Sequence, residues 1–521
     1  MSSFFRRIGS RVAGLVGAAS GEAAPARFVI DAAGNRHELV EELGRGGQGA
    51  VFRTANREIA VKLLLDGKGD PLRSTGSVPE LELRGAIERV LTLALPARGV
   101  AAPIALLREE VGYTMRMLAG MQPLASMMTL TRSRADYGAT GGLRRRLGIL
   151  ATLADRVASL HSAGLVFTDL SPNNVFISSS VDASEVWLID PDNIHYLEQG
   201  GRRLYTPRYG APEVVSGRGY ANTLTDCWSF AVIAHEVLRV VHPFEGDGLE
   251  ESGWDGTASG VQKPGEAPLV WIDDPDDGSN RTGHGRQLAE VATGRMTELF
   301  GRAFCAGRTD PTARPSMSEW ADALWEAYDH VVLCSSCGGS SFVSKGAAMS
   351  CCDAARPAVL RIESRLWVPG IDKDLNDLAQ SMLELERLDA TLDAVDPDRA
   401  PAADGKGPRP QRPPLASMRV ASGITSSVPM SFVTGAGTER KREPAIELRY
   451  VGGRLMVEVL GECGGWSWID GRSARPRSLA RKFDVEIGTT HGYVCHVHCG
   501  NEGEPHRLLT FTHFPGAANA G

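Results

Sequence analysis

The chain has 521 residues, a formal net charge of −7 and an apolar share of 42%. The acidic balance excludes a dedicated nucleic-acid-binding protein, because such proteins carry an excess of basic residues. No run of about 18 apolar residues is present, so no transmembrane segment is expected. The nine cysteines cluster late in the chain, which favours reduced thiols and a cytoplasmic location over a secreted disulfide scaffold. The length predicts about three domains.

Residues 1–26 are rich in Gly, Ala, Ser and Arg. We expect a flexible N-terminal tail, since chain termini are often poorly ordered. The apolar Phe4, Phe5 and Ile8 beside Arg6 and Arg7 would also suit a basic amphipathic helix on a membrane surface, or a transit peptide.

Residues 27–118 read as short β-strands with one helical stretch, and residues 119–330 read as mainly helical. Within the second part, apolar residues recur at helical spacing from Leu143 to His161. A small β-rich lobe followed by a larger helical lobe predicts an α+β architecture of two lobes.

The last third of the chain divides into four predicted segments. Residues 331–356 hold a cysteine cluster, and residues 357–396 form a region with an acidic amphipathic helix. Residues 397–445 are rich in Pro, Ser, Gly and Arg and are predicted to be a disordered linker. Alternating apolar residues return in 446–521, which predicts a small β-rich module.

Gly44, Gly46 and Gly49 form a G-x-G-x-x-G pattern, with Val51 two residues further on. A dinucleotide-binding turn would continue into a helix, whereas here a second strand follows. Glycines in such a hairpin let the backbone approach phosphate groups closely, so a phosphate-covering loop is predicted. The alternative is a plain hairpin turn.

Lys62 ends the apolar strand that follows this hairpin. A lysine that points inward needs an anionic partner. Bound phosphates would supply one, and a carboxylate of the 79–95 helix would supply another. Glu80, Glu82 and Glu88 are candidates, of which we favour Glu82. A solvated lysine at a strand end is the alternative.

A loop after the 143–161 helix presents Asp169 and, five residues later, Asn174. Asp169 can orient a hydroxyl group, and the amide oxygen of Asn174 can bind Mg²⁺. Asp190 follows four apolar residues of a second strand. A carboxylate in that place suits Mg²⁺, which proteins hold with one or two carboxylates and substrate phosphates.

These residues, in this order and spacing, resemble the eukaryotic-type protein kinases over about residues 27–330. The resemblance implies a bilobal kinase fold with an N-lobe over 27–118 and a C-lobe over 119–330. It also implies use of ATP and Mg²⁺, with Asp169, Lys62, Asn174 and Asp190 as catalytic residues. Further matches are Ala211-Pro212-Glu213, Asp226, Arg314 as the partner of Glu213, Met115 at the gatekeeper position, and a hinge over 116–118 in which Leu118 would contact adenine.

Three departures from the family pattern affect the predicted site. Phe167-Thr168 replaces the usual His-Arg, Ser171 replaces a lysine, and Asp190-Pro191-Asp192 replaces D-F-G. The lost arginine makes activation by a loop phosphate less favourable, because the partner of that phosphate is missing.

The Asp-x-Asp form resembles a bacterial subgroup in which a zinc-ribbon-like segment follows the kinase. Resemblance alone implies partnership with von Willebrand A-type proteins and metal-dependent phosphatases in stress responses.

Cys334, Cys337, Cys351 and Cys352 nearly fit a zinc ribbon. The second half lacks the expected C-x-x-C, since Ala354 stands at its last position. Zinc binding and a degenerate ribbon with free thiols both remain open. In Cys495-His496-Val497-His498-Cys499, strand alternation separates cysteines from histidines. Core cysteines and surface histidines are therefore expected there.

The leading interpretation is a kinase that transfers the ATP γ-phosphate to serine or threonine hydroxyls of a protein substrate. The alternative from another class is a nucleotide-binding pseudokinase that serves as a scaffold, which Ser171 and the missing His-Arg favour. Transfer of another part of the nucleotide, such as AMP, is a third possibility.

Overall fold

The computed structural model describes residues 27–46, 49–96, 98–131, 133–199, 203–248, 270–343, 349, 351–352, 354–368, 414–434, 442–460, 466–470, 473–478, 482–486, 494–500 and 503–516. The predicted N-terminal tail and the helix expected within 369–396 lie outside these residues. The described residues divide into two compact units, the first within 27–93 and 102–119 and the second within 94–101 and 120–516.

The first unit is an antiparallel sheet of six strands with one helix, in the strand order β1-β2-β3-β4-β6-β5. Its elements are β1 Arg27–Ile30, β2 Arg36–Arg45, β3 Gly49–Thr54, β4 Ile59–Leu64, α1 Val78–Thr92, β5 Pro103–Leu106 and β6 Gly112–Arg116. Two apolar clusters form its core, and Ile87 of α1 lies in the cluster with Leu64 and Tyr113. The β-rich content predicted for residues 27–118 is confirmed.

The start of α1 is fixed by a side chain of its first turn that accepts hydrogen bonds from backbone amides just before the helix. One carboxylate oxygen of Glu80 accepts hydrogen bonds from Thr75 N at 2.9 Å and Ser77 N at 3.3 Å. Such a contact satisfies donors that the helix itself cannot pair, and it places negative charge at the positive end of the helix dipole.

The helical part of the second unit is built around α4 and α6. Leu147, Leu150 and Val157 of α4 are fully buried, as the apolar spacing predicted. The helices are α2 Leu124–Leu130, α3 Arg134–Ala139, α4 Gly142–Ser162, α5 Pro212–Val215, α6 Thr223–Arg239, α7 Leu288–Val291, α8 Gly294–Gly301, α9 Gly307–Thr309 and α10 Met317–His330, with a π-helical turn at Arg302–Ala306. Shorter 3-10 turns occur at Pro191–Asn193, Leu197–Gln199, Gly278–Asn280 and Pro311–Ala313.

Short strands, one directly before α2 and four between α4 and α5, position the loops that the sequence predicted to carry the catalytic residues. They are β7 Met121–Pro123, β8 Leu165–Val166, β9 Val175–Ser178, β10 Val186–Leu188 and β11 His195–Tyr196. β10, β9 and β7 form one sheet, and β11 pairs with β8. This pairing brings the segment after β8 and the segment after β10 to neighbouring positions.

After α10 the chain is β-rich. The strands are β12 Val331–Leu333, β13 Ser340–Phe342, β14 Val359–Trp367, β15 Ala416–Ala421, β16 Thr425–Pro429, β17 Pro444–Val451, β18 Arg454–Val459, β19 Trp466–Asp470, β20 Ser473–Ser478, β21 Lys482–Glu486, β22 Val494–Cys499 and β23 His506–Phe514, with the helix α11 Met430–Val433. Apart from the β12-β13 hairpin, two sheets form, ordered β15-β14-β23-β22-β19-β20 and β16-β17-β18-β21. Buried residues of both sheets make one core.

Two boundary predictions for this part of the chain are wrong. β14 lies in the segment assigned to an amphipathic helix region, and β15 and β16 lie in the predicted disordered linker over 397–445. The averaged composition of the linker hid a short alternation in which Met418 and Val420 are buried. The two larger sheets therefore begin at Val359, and not at residue 446.

The expectation of surface histidines on β22 is also wrong. His496 and His498 are only 4% and 6% exposed. β22 is an interior strand of its sheet, and both of its faces are covered. Burial lowers the pKa of His496 to about 3 and that of His498 to about 4. Among the described residues, no helix combines the length and apolar character that crossing a lipid bilayer requires.

Candidate active site

The glycine pattern lies on the hairpin of β2 and β3, as predicted. Gly46 N donates to Gly49 O at 2.8 Å, which closes the turn. A Cβ atom at Gly49 would lie 2.9 Å from Leu63 O and 3.3 Å from Lys62 Cε. Only glycine tolerates so close an approach. Gly49 therefore lets β3 pack tightly against the strand that carries Lys62.

Lys62 is 6% exposed on β4, directly opposite Val51 on β3. Its ammonium nitrogen lies 5.7 Å from the centre of the Tyr113 ring. A buried ammonium group requires acceptors or negative charge around it. The position of Lys62 beside the glycine hairpin is the one that the sequence predicted.

The predicted ion pair between Lys62 and Glu82 is not observed. Glu82 is exposed and makes no ion pair among the residues that the structure describes. Ile87 and Val90 mark the buried face of α1, and Glu82 lies on another face because five residues separate it from Ile87. Of the other two candidates, Glu80 serves the helix start and Glu88 pairs with Arg84 at 3.5 Å.

The predicted gatekeeper and hinge lie at the end of β6. Met115 is half-buried and packs against the cluster that contains Leu64 and Tyr113. Met117 N donates to Glu58 O at 2.8 Å, so this amide already has a backbone acceptor. Leu118 is half-buried.

In the second unit, the buried carboxylate of Asp226 holds the loop that follows β8. It accepts hydrogen bonds from Phe167 N at 2.8 Å and Thr168 N at 3.0 Å, and it lies 3.0 Å from His161 Nε2. Thr168 has φ of 78°, a conformation that strains a β-branched residue. The Asp226 contacts stabilise this strained backbone immediately before Asp169.

Asp169 is fixed by two side chains from different parts of the unit. Asn174 Nδ2 donates to Asp169 Oδ2 at 3.0 Å and to Asp169 O at 2.8 Å. Thr206 Oγ1 donates to Asp169 Oδ1 at 2.6 Å. Charge-assisted hydrogen bonds of this kind are short and strong. The carboxylate is thus held in one orientation beside the loop that carries Thr206.

Asp190 lies two residues after the end of β10 and is exposed. Its backbone has φ of 59° and ψ of 55°. Ile189 N donates to Asn174 O at 2.9 Å, which joins the two loops. Because the Asn174 amide nitrogen faces Asp169, its amide oxygen is left for a cation. A carboxylate and an amide oxygen are ligands that suit Mg²⁺.

The residues that depart from the family pattern have defined structural places. Thr168 Oγ1 donates to Asn193 O at 3.2 Å and lies 3.2 Å from His195 Nδ1. It thereby ties the Asp169 loop to the segment after Asp190. Ser171 is 1% exposed, and its carbonyl accepts from Asn174 N. A lysine could not occupy that buried place without rearrangement of the loop.

Glu213 and Arg314 form the predicted ion pair. Two parallel hydrogen bonds of 2.8 Å join the guanidinium of Arg314 to the carboxylate of Glu213. The Arg314 side chain is 1% exposed and that of Glu213 is 19% exposed. The pair anchors α5, which ends the segment that contains Thr206.

The four predicted cysteines lie together in the second unit. The sulfur atoms of Cys334, Cys337, Cys351 and Cys352 all lie within 4.8 Å of one another. Cys334 and Cys352 are 3.6 Å apart, as are Cys337 and Cys351. Backbone amides that point at Cys334 help to lower the pKa of its thiol to about 7, although burial opposes them. The four cysteines of the segment that nearly fits a zinc ribbon therefore form one cluster.

Thr206 is a site residue that the sequence reasoning missed. It stands seven residues before Glu213 in a segment without regular structure. The signal that would have found it is its position in the segment that ends at Ala211-Pro212-Glu213, together with a hydroxyl group able to reach a carboxylate.

Comparison with known proteins supports the resemblance of the region that holds Asp169 and Asp190 to protein kinases. Residues 142–282 match the family model of the protein kinase domain. The chain is 29% identical over 236 residues to serine/threonine-protein kinase pkn2 of Myxococcus xanthus, covering 43% of this chain and 26% of that protein. It is 30% identical over 226 residues to the DNA damage-responsive serine/threonine-protein kinase RqkA of Deinococcus radiodurans, covering 41% and 31%.

A third relative is serine/threonine-protein kinase PknA of Mycobacterium tuberculosis, 26% identical over 225 residues, with 41% of this chain and 49% of that protein covered. The matched part therefore spans between about a quarter and a half of the length of these curated relatives. The comparisons agree on a protein kinase domain in this chain that is similar to those of bacterial serine/threonine-protein kinases.

Proposed function

We propose that the chain is a protein kinase that transfers the ATP γ-phosphate to serine or threonine hydroxyls of a protein substrate. The observation that carries this proposal is the fixed carboxylate of Asp169, held by Asn174 and by the hydroxyl of Thr206. A protein hydroxyl group already donates to this carboxylate in the structure. A substrate serine or threonine would donate its hydroxyl in the same way.

The roles of the other residues follow from the chemistry of phosphoryl transfer, which depends mainly on positioning and charge neutralisation. Mg²⁺ would supply charge neutralisation, with Asn174 and Asp190 as its ligands. Lys62 would neutralise nucleotide phosphates beneath the hairpin of Gly44, Gly46 and Gly49. Met115 and Leu118 would border the base.

The alternative proposal is a nucleotide-binding pseudokinase scaffold. It is favoured by Ser171, which leaves the Asp169 loop without the usual lysine. A comparable electrostatic donor contributes roughly 3–4 kcal/mol in other enzymes. Nucleotidyl transfer on the same fold is the third candidate.

The test is phosphorylation of a protein substrate by the full chain with Mg²⁺ and ATP, followed by identification of the modified amino acid. We expect phosphoserine or phosphothreonine with the wild type and none with Asp169→Asn. Retention of full activity in Asp169→Asn would contradict the assigned role, and inactivity of the wild type would favour the scaffold.

Replacing Thr206 by valine is expected to reduce kcat by about 10- to 100-fold. This factor corresponds to the loss of one hydrogen bond to a charged group. Thr206 is a positioning residue, so KM for ATP should change little. Thr206→Ser keeps the hydroxyl and should restore most of the rate. Steady-state kinetics of both variants test this, and equal losses in the two would show that the hydroxyl has no such role.

We also propose that the cysteine cluster binds zinc. Four thiolates at the usual distance of about 2.3 Å from a tetrahedral ion lie about 3.8 Å from one another. Three of the sulfur pairs are separated by 3.6, 3.6 and 4.0 Å, the last being Cys351 and Cys352. This geometry supports four thiolate ligands despite the alanine at position 354.

Elemental analysis of protein purified without chelator is expected to find about one zinc per chain in the wild type. Cys334→Ser should lose most of it. Cys305→Ser is the matched control, because Cys305 is half-buried outside the cluster and contacts Asp274. A near-zero zinc content in the wild type would reject the site.

A cytoplasmic location is proposed from the cysteine usage. Partnership with von Willebrand A-type proteins and metal-dependent phosphatases rests on the resemblance alone.

A further inference from the structure

A cavity of about 330 Å³ lies in the second unit, at the junction of its helical part and its β-rich part. α10 and β12 form one wall, and β15, β16 and the turn between them form the other. Three arginines line it, namely Arg144, Arg419 and Arg442. None of the residues assigned to phosphoryl transfer or to zinc lines this cavity.

Two of the three guanidinium groups are held in place by the wall of the cavity. Arg442 makes hydrogen bonds of 2.9 and 2.6 Å to Asp329 and lies 4.4 Å above the Trp325 ring. Arg144 donates to Val331 O at 3.2 Å and lies 4.1 Å above the Tyr328 ring. These contacts position two cations on an aromatic surface.

Arg419 has no such partner. Within the part of the chain that the structure describes, no carboxylate or other acceptor contacts its guanidinium group. Its neighbour across the sheet is Arg361, which stands opposite it in register on β14. Burial and then the charge of Arg361 lower the pKa of Arg419. An arginine nevertheless stays protonated in proteins.

His330 adds to this basic surrounding. Its Nε2 lies 2.7 Å from Ser417 Oγ on β15. Burial, followed by the charges of Arg419 and Arg361, lowers the pKa of His330 to about 4. The imidazole is thus neutral beside two guanidinium groups. Arg361 pairs with Glu363 at 3.5 Å, whereas among the described residues Arg419 has no counter-charge.

Arg419 is half-buried. A guanidinium group that is partly removed from water without a counter-charge is unfavourable, and an anion offsets that cost. Its planar fork of donors matches phosphate oxygens. Ser426 and Ser427 on the opposite wall add hydroxyl groups, and the volume is at the small end of the range for ligand sites. β16 is the outer strand of its sheet, where an extended peptide finds unpaired backbone groups.

We propose that this cavity binds a phosphoryl group, and that its source is a phosphorylated serine or threonine residue of a protein. The choice of source rests on the proposed function, which makes such residues. The binding itself does not, because it requires neither ATP nor the residues of the candidate active site.

The test is calorimetric titration of the full chain with O-phospho-L-threonine, inorganic phosphate and unphosphorylated threonine. We expect phosphothreonine to bind more tightly than phosphate, and threonine not to bind. Arg419→Met should weaken phosphothreonine binding by at least about 10-fold, since each charged contact to phosphate contributes substantially. The matched control is Arg454→Met, because Arg454 is an exposed arginine of the same β-rich part that pairs with Asp484.

Arg419→Met removes an uncompensated charge, so its melting temperature should not fall. Arg419→Lys keeps the charge without the fork and should show intermediate affinity, which provides the comparison if the methionine variant does not fold. If inorganic phosphate binds as tightly as phosphothreonine, and Arg419→Met loses that binding, the phosphoryl site would be supported but its protein source would be overturned. Equal affinity in wild type and Arg419→Met, or no binding at all, would overturn the proposal.

Discussion

Replacing Asp190 by asparagine is expected to lower the rate of protein phosphorylation by at least about 10²- to 10³-fold, the effect of removing one electrostatic group from a reaction centre. Asp190 is the exposed carboxylate that follows β10, and Asn174 of the neighbouring loop is joined to the preceding residue through a backbone hydrogen bond. An amide keeps the size of the side chain but removes the negative charge that would hold Mg²⁺.

The loss should appear mainly in kcat and should be partly relieved by a higher Mg²⁺ concentration, because the variant weakens metal binding. Asp182→Asn is the matched control, since Asp182 is an exposed carboxylate in the turn between β9 and β10 of the same unit. An Asp190→Asn variant as active as Asp182→Asn would remove Asp190 from the proposed mechanism.

Glu213→Gln is expected to lower the free energy of unfolding of the second unit by about 3–5 kcal/mol, because it leaves a buried guanidinium group without its counter-charge. Arg314 is almost fully buried, and both of its terminal nitrogens donate to Glu213. Its Nη1 also donates to Leu224 O at 3.0 Å, so loss of the pair would disturb the start of α6 as well.

Urea unfolding followed by tryptophan fluorescence measures this change, because Trp228 lies 5.0 Å from the Arg314 guanidinium. The control is Glu326→Gln, which breaks the exposed pair of Arg295 and Glu326, both more than 40% exposed. That change should cost under about 1 kcal/mol. Similar costs for the two variants would contradict the assigned difference between a buried and an exposed pair.

Much of the candidate site could be predicted because its residues are close in sequence. Asp169 and Asn174 lie on one loop, so their spacing of five residues was enough to assign both to one site, although their mutual hydrogen bond was not predicted. Asp190 was identifiable because a carboxylate directly follows an apolar strand. The pairing of Glu213 with Arg314 spans 101 positions and was predicted only through the resemblance to a family.

The contacts that were missed depend on tertiary packing. Thr206 reaches Asp169 across 37 positions from a segment without periodicity, so no local pattern marks it. Glu82 was chosen without regard to the face of α1, whereas Ile87 and Val90 fix that face toward the sheet. Helical spacing alone could have excluded Glu82.

The β-rich part was misjudged for two physical reasons. The composition of residues 397–445, averaged over the whole segment, concealed the alternation of Met418 and Val420. The histidines of β22 were assigned to the surface on residue type, although an interior strand has no solvent-facing side when both faces of its sheet are covered. A hydrogen bond of 3.1 Å between His496 Nδ1 and Thr510 Oγ1 offsets part of the cost of burying this imidazole.

The most direct measurement of the central proposal follows the label from ATP onto protein. The full chain is incubated with Mg²⁺, a protein substrate and ATP labelled at either the γ- or the α-phosphate. Transfer from γ-labelled ATP only, lost in Lys62→Ala, is the predicted result. Transfer from α-labelled ATP would identify nucleotidyl transfer instead. No transfer from either, while ATP still raises the melting temperature, would contradict the enzyme and leave the scaffold.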